Sequence, residues 1–141
     1  MRFMLFLFSL LVLQSAPALA QEHHPLPACK NGHIAIVRVS EIKPGAMDAF
    51  LAAVKAHKAW YRKNGVKTND IFVSRVIVKD PKTSNWGYSD SEVITYHLNP
   101  PEDNEKLPRN DDAWKAYVKM YNDSSTVKSI TLSCMPTNDL K

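Results

Sequence analysis

The chain has 141 residues with a formal net charge of +4, 45% hydrophobic and 23% charged residues and only two cysteines. Such a composition suits one globular domain and excludes disordered, collagen-like and cysteine-scaffold classes. The lysines are scattered among acids, with no basic stripe carrying interleaved aromatics, so no nucleic-acid partner is expected.

Residues 1–20 read as a cleavable secretory signal. Arg2 gives the positive start, an apolar run follows over residues 3–13, and Ala18-Leu19-Ala20 supplies the small-x-small cleavage pattern. The run is shorter than the about 20 apolar residues that span a bilayer, so no membrane association is expected after cleavage. The mature chain would start at Gln21, carry +3 once Arg2 is removed, and be secreted or periplasmic. In that compartment Cys29 and Cys134 read first as a disulfide. Two free thiols are the second reading; a metal held by two such distant thiols lacks ligands.

Residues 21–32 form a tail with Pro25 and Pro27. Gln21-Glu22-His23 places an imidazole third from the new amine, a nitrogen set suited to Cu(II) or Ni(II), unless Gln21 cyclises and removes the amine. The domain proper is expected over residues 33–136, with 137–141 a second tail.

Residues 33–40 alternate as a strand. After Pro44-Gly45, Met47, Phe50, Leu51, Val54, His57 and Tyr61 recur at helical steps, with Asp48 in the first turn, Arg62-Lys63 in the last and Asn64-Gly65 as a stop. Residues 71–79 give a second strand, 80–90 a turn-rich tip containing Trp86 and Tyr88, and 92–98 a third strand. A polar loop over 99–112 leads to Asp111-Asp112 as a helix cap, then Trp114, Tyr117, Val118 and Tyr121 at helical spacing. Residues 127–135 close as a fourth strand. The order β-α-β-β-α-β predicts an α+β, ferredoxin-like fold with a four-stranded antiparallel sheet ordered 4-1-3-2. That order sets the start of strand one beside the end of strand four, which brings Cys29 to Cys134.

Alternation sorts the strands into two faces. Ala35, Val37 and Val39 with Ile94, Tyr96 and Leu98 are the more apolar set and are assigned to the helices. The open face then carries Ile34, Ile36 and Arg38; Val73, Arg75 and Ile77; Val93, Thr95 and His97; and Ser129, Thr131 and Ser133. On it Arg38, Arg75 and His97 form a candidate ligand site: two guanidinium anchors for an anion and one proton carrier, His97 being also the candidate catalytic group. The competing account makes the arginines snorkelling strand residues. His57 reads as a half-buried helix histidine, Trp60, Tyr61, Trp114, Tyr117 and Tyr121 as core or interface. Asn122-Asp123-Ser124 fits a glycosylation sequon.

The strand and helix from Ile34 through K-P-G-A-M-D-A-F-L-A-A-V-K-A-H-K-A-W-Y-R-K-N-G to Gly65 resemble the opening of dimeric α/β-barrel proteins. That superfamily includes the antibiotic-biosynthesis monooxygenase-like and stress-responsive barrel proteins. The resemblance runs over nearly the whole mature chain and implies a homodimer in which two sheets enclose a pocket. Some members oxidise aromatic substrates without a cofactor, some degrade haem, and none of their catalytic residues maps onto this chain position by position. The export signal and the terminal cysteine pair depart from the mostly cytoplasmic members. The sequence therefore predicts an exported dimeric barrel that binds a small anionic or aromatic ligand or is structural, with no cofactor and no catalytic apparatus. A cofactor-independent monooxygenase-like enzyme acting on a small aromatic or carboxylated substrate is the alternative. No nucleophile elbow, phosphate loop or dinucleotide glycine pattern is present.

Overall fold

Residues 29–101 and 104–136 are described by the computed structural model. The elements run β1 (Gly32–Ile42), α1 (Met47–Lys63), β2 (Asp70–Lys79), β3 (Trp86–Leu98), a single 3-10 turn (Asn104–Lys106), α2 (Asp112–Ser124) and β4 (Ser125–Pro136). The sheet order is β2-β3-β1-β4 with every neighbour antiparallel, the expected 4-1-3-2 read from the other edge. This is the ferredoxin-like fold. The expected signal segment, His23 and residues 137–141 lie outside the described residues; among those described, no helix is long and apolar enough to cross a membrane.

Helix α1 starts and stops where its charges and breakers direct. Asp48 lies in its first turn and Arg62 and Lys63 in its last, each favourable to the helix dipole. At the far end Asn64 Nδ2 donates to Trp60 O at 2.9 Å, and Gly65 takes the left-handed φ of +77° that turns the chain toward β2. Arg62 then fastens that connection, donating to Val66 O and Thr68 O and pairing with Asp70. Helix α2 is capped by Asp111, whose carboxylate accepts from Trp114 N at 2.6 Å and from the α1 indole Trp60 Nε1 at 3.1 Å. One side chain thus caps one helix and fixes its partner against it.

Strand β3 begins at Trp86, earlier than the sequence suggests. Asn, Ser and Gly make residues 80–90 look like one long turn, but only 80–85 turns: Asp80 accepts from Lys82 N at 2.8 Å and from Thr83 Oγ1 at 2.8 Å. Beyond it the ladder resumes with Ile77 opposite Tyr88, shifted relative to Arg75 opposite Val93. Ser89 Oγ accepts from Ser91 N and Glu92 N inside that irregularity, so the extra residues form a bulge and not a loop.

Cys29 and Cys134 are joined, with Cα atoms 5.4 Å apart. The bond closes 105 residues and clamps the tail to the end of β4. Gly32 sits in the crook: a Cβ there would stand 2.5 Å from Met135 O and 2.8 Å from Cys29 Sγ, so the clamp requires glycine.

The core lies between the helices and one face of the sheet, built from Phe50, Trp60, Tyr61, Tyr117 and Tyr121 against Val93, Ile71 and Ile42. Here the sequence-based face assignment is reversed for three strands. Val93, Thr95 and His97 are buried, and Ile36, Arg38 and Ser40 face the helices beside them, with Ile71, Val73 and Arg75 from β2. Val37, Val39, Ile94, Tyr96 and Leu98 point away. Only Ser129, Thr131 and Ser133 lie on the bare side as assigned, in register with Val39, Val37 and Ala35. The helices bring five large aromatics to that face, which pack on Ile42, Ile71 and Val93 and leave Ser40 and Thr95 buried between them. Both faces of β1 and β3 are apolar enough that alternation fixes the grouping but not the side.

Candidate functional site

A cavity of about 210 Å³ opens between the helices and the sheet. Arg38 of β1 forms its floor, Tyr61 of α1 and Trp114 and Tyr117 of α2 its walls, and Asn104 and Arg109 its rim. Strand alternation sends Arg38 up between Ser40 and Ile36; the three- and four-residue steps of α2 bring Trp114, Tyr117 and Tyr121 down on it.

Behind the cavity wall lies a layer of stacked rings. His57 stacks on Tyr117 with centroids 4.0 Å apart and lies 5.3 Å from His97; Trp60 and Trp114 meet at 4.6 Å. His97 Nδ1 donates to Asn69 Oδ1 at 3.2 Å, and Ser40 and Tyr121 share a buried hydrogen bond of 2.9 Å. Both histidines are 4% exposed. Burial pushes His57 down to about 3, helped by the neighbouring His97 and by the positive Arg38 and Arg109. Burial, then Arg38, pushes His97 down to about 4. Both are therefore neutral at physiological pH. Burial likewise raises Tyr117 to about 12, against the opposing pull of Arg38. Around this site the arginines carry the charge.

Arg38 is conspicuous for what it does not touch. Its Nε is fully enclosed without a hydrogen-bond partner, and among the described residues no carboxylate bridges to it. Tyr117 is its hydrogen-bonding neighbour. Arg109 also lacks a carboxylate among the described residues; its guanidinium lies 5.3 Å over the Trp114 ring.

Of the three expected ligand residues, the structure brings Arg38 and His97 together on the helix-covered face and leaves Arg75 apart. Arg75 shares that face but lies beyond the helices, where it donates to Ser89 O, pairs with Asp90 at 3.3 Å and lies 4.8 Å over Tyr88. Trp86 and Tyr88 stand exposed on the same ribbon, 70% and 61% accessible. In the sequon, the Ser124 hydroxyl is buried and bonds Met120 O at 2.7 Å. Among the described residues no group of three metal-ligating side chains exists.

No protein-family model matches the chain, and no curated protein matches it. Among solved structures it is similar to SnoaB, a cofactor-independent oxygenase from Streptomyces nogalater, at 9% identity over 78% of this chain and 99% of that one, with a TM-score of 0.47. It is similar to a nipsnap family protein of unknown function from Agrobacterium tumefaciens, at 13% identity over 79% and 96%, also 0.47. A putative antibiotic biosynthesis monooxygenase from Chloroflexus aurantiacus gives 13% over 77% and 97%, at 0.37. The group that the sequence resembles is thus represented among the solved structures similar to the chain. At these scores they add nothing to the strand order, and no activity passes from them to this chain.

Arg109 and Asn104 carry no signal in the sequence, since each sits in a polar loop whose path only the fold defines. Tyr61, Trp114 and Tyr117 were legible as buried aromatics; that they line a cavity was not. The bare side of the sheet carries a second, shallower depression of about 220 Å³ lined by Phe72, Tyr96, Leu98 and Met135. Phe72 there is 54% exposed.

Proposed function

We propose that this chain is an exported, homodimeric small-molecule-binding protein without catalytic machinery, and that its ligand site is the helix–sheet cavity. The observation that carries the reading is Arg38 at the cavity floor, whose Nε is enclosed without a hydrogen-bond partner and which meets no carboxylate among the described residues. An uncompensated charge in such a place costs several kcal/mol unless an anion or ordered water offsets it. Export is supported by the signal pattern and the disulfide. Dimerisation is supported by the bare face, where Phe72, Tyr96 and Leu98 lie beside Val37, Val39 and Ile94 as a contiguous apolar surface of the kind that marks an interaction site. This replaces the patch expected from the sequence, in which Val93 and Val73 belong to the core.

Replacing Arg38 by Met keeps the apolar stem and removes the charge. If the site binds an anion, the variant loses ligand affinity while its melting temperature stays equal or rises. If Arg38 instead supports the fold, the variant melts lower and binding to the wild type is never seen. Light scattering at micromolar concentration should give twice the monomer mass.

A second reading, a cofactor-independent oxygenase-like enzyme, is favoured by one observation: two neutral histidines behind the cavity, one of them, His57, with an enclosed Nε2 that lacks a partner. With folded values of about 3 and 4 both imidazoles are weak proton acceptors, so their part would be to accept a hydrogen bond from a phenolic substrate and orient it. Dioxygen uptake with a panel of phenols, lost in His97→Gln and His57→Gln, would establish it; no uptake with any of them would end it.

A further inference from the structure

We propose that the cavity selects a single-ring aromatic carboxylate, bound with its carboxylate on Arg38 and its ring against Trp114 and Tyr117; this rests on the binding reading above.

Three properties of the cavity converge on that class. The first is size. A cavity of roughly 150 Å³ accommodates benzene, and one water occupies roughly 30 Å³ of liquid. The present volume of about 210 Å³ therefore takes one ring and a substituent the size of two waters. Drug-sized ligands need about 300 Å³ or more, so a fused polycyclic skeleton could not be buried whole in this space and would leave much of its surface in water. The second is charge. Arg38 and Arg109 line the cavity, and neither has a carboxylate partner among the described residues. Tyrosines also line this space; Tyr117 stays protonated and can donate a hydrogen bond without adding charge. A planar guanidinium matches the two oxygens of a carboxylate, and such charge-assisted bonds are about twice as strong as neutral ones.

The third property is wall chemistry. Trp114 presents an indole already covered on one side by the Arg109 guanidinium, and Tyr117 is stiffened from behind by the stacked His57 ring. Flat, rigid, apolar walls prefer a flat, apolar ligand body and give little to an inorganic anion, which needs many donors around it. Arg109 at the rim is positioned to close over the outer edge of the ring, as it now does over Trp114. The same geometry argues against a small aliphatic acid, which would leave the aromatic walls half unused.

Calorimetric titration of the mature, oxidised protein tests this with four probes: benzoate, benzamide, inorganic phosphate and anthracene-9-carboxylate. Benzoate should bind at least tenfold more tightly than benzamide, its neutral isostere, and than either remaining probe. Arg38→Met should remove that preference, bringing benzoate to the affinity of benzamide, and Trp114→Leu should weaken both benzoate and benzamide. The benzoate–benzamide comparison needs only the wild type, so a poorly folded variant does not rescue the proposal. Equal affinity for the pair, or a preference for phosphate or the tricycle, overturns the ligand class. Should phosphate or the tricycle bind in an Arg38-dependent manner, the cavity remains the ligand site and only the class is wrong. If no probe binds at millimolar concentration, the class is overturned, and an Arg38→Met variant that also melts lower removes the binding reading with it.

Discussion

The two faces of the sheet differ in a way that inverts ordinary expectation. The covered face holds Arg38, Ser40, Thr95 and His97, while the bare face holds Val37, Val39, Ile94, Tyr96 and Phe72. Ser40 and His97 are tolerated inside because each has a specific partner, Tyr121 and Asn69, while Arg38 reaches Tyr117 and leaves its Nε unpaired. Apolar ones are outside because among the described residues no element lies over that face. Burial of a residue is therefore decided by what stands opposite it, and hydrophobicity along one strand reports only that a face will be covered by something.

Substitutions on the two faces should separate this difference cleanly. The largest effect is expected on the covered side. Trp60→Ala removes a fully buried indole, its contact with Trp114 and its bond to the Asp111 cap, and should lower unfolding free energy by about 3–5 kcal/mol in denaturant titration. A loss below about 1 kcal/mol would mean that the helices do not rest on the core described here.

Acid should act on the same side, and next most strongly. His97 holds a folded value of about 4 against the usual 6.5, so the unfolded chain takes up its proton first. The contribution is intact above pH 6.5 and is lost progressively as pH falls from there to about 4, reaching roughly 3 kcal/mol at about 1.4 kcal/mol per pH unit. His57 follows the same sign over a window reaching about 3. Denaturation midpoints measured between pH 7 and pH 4 should slide downward, and less so in His97→Gln. A stability flat across that range would show both imidazoles to be solvated.

On the bare side the expected effect changes kind. Phe72→Ser should leave the unfolding of the monomer nearly unaltered while shifting light scattering toward the monomer mass, because the ring touches water unless a second sheet covers it. The smallest effect belongs to the exposed pair Glu41–Lys128, 2.6 Å apart on the rim of β1 and β4. Its removal by Glu41→Gln should change stability by less than about 1 kcal/mol, with the difference shrinking in high salt.

Much of this architecture was legible in the chain. Element order, the start and stop of α1, the Asp111 cap of α2, the strand order and the cysteine pairing all follow from signals such as Asn64-Gly65, the alternation of residues 33–40 and the order of the elements. The grouping of Arg38 with His97 was also legible, since alternation puts them on one side of neighbouring strands. Which side that was could not be read, because β1 and β3 are apolar in both phases. Arg75 was misplaced for a related reason: it has the right phase but sits past the end of the helix layer, a matter of element length and of the bulge at Ser89. Arg109 and Asn104 were invisible, being loop residues brought to the cavity by the capping of α2.

The three tryptophans occupy three different optical surroundings. Trp60 and Trp114 lie ring against ring at 4.6 Å, while Trp86 stands 70% exposed on the hairpin. The molecule thus carries its own pair of reporters: a close couple, with Trp60 buried and Trp114 half-buried at the cavity wall, and a lone indole open to a soluble quencher. Iodide should extinguish the emission of Trp86 first and reach Trp114 only through the cavity, so that a ligand in the cavity protects the Trp114 share of the emission. Ligand capture and events along the hairpin ribbon can then be watched separately in one cuvette, without a label.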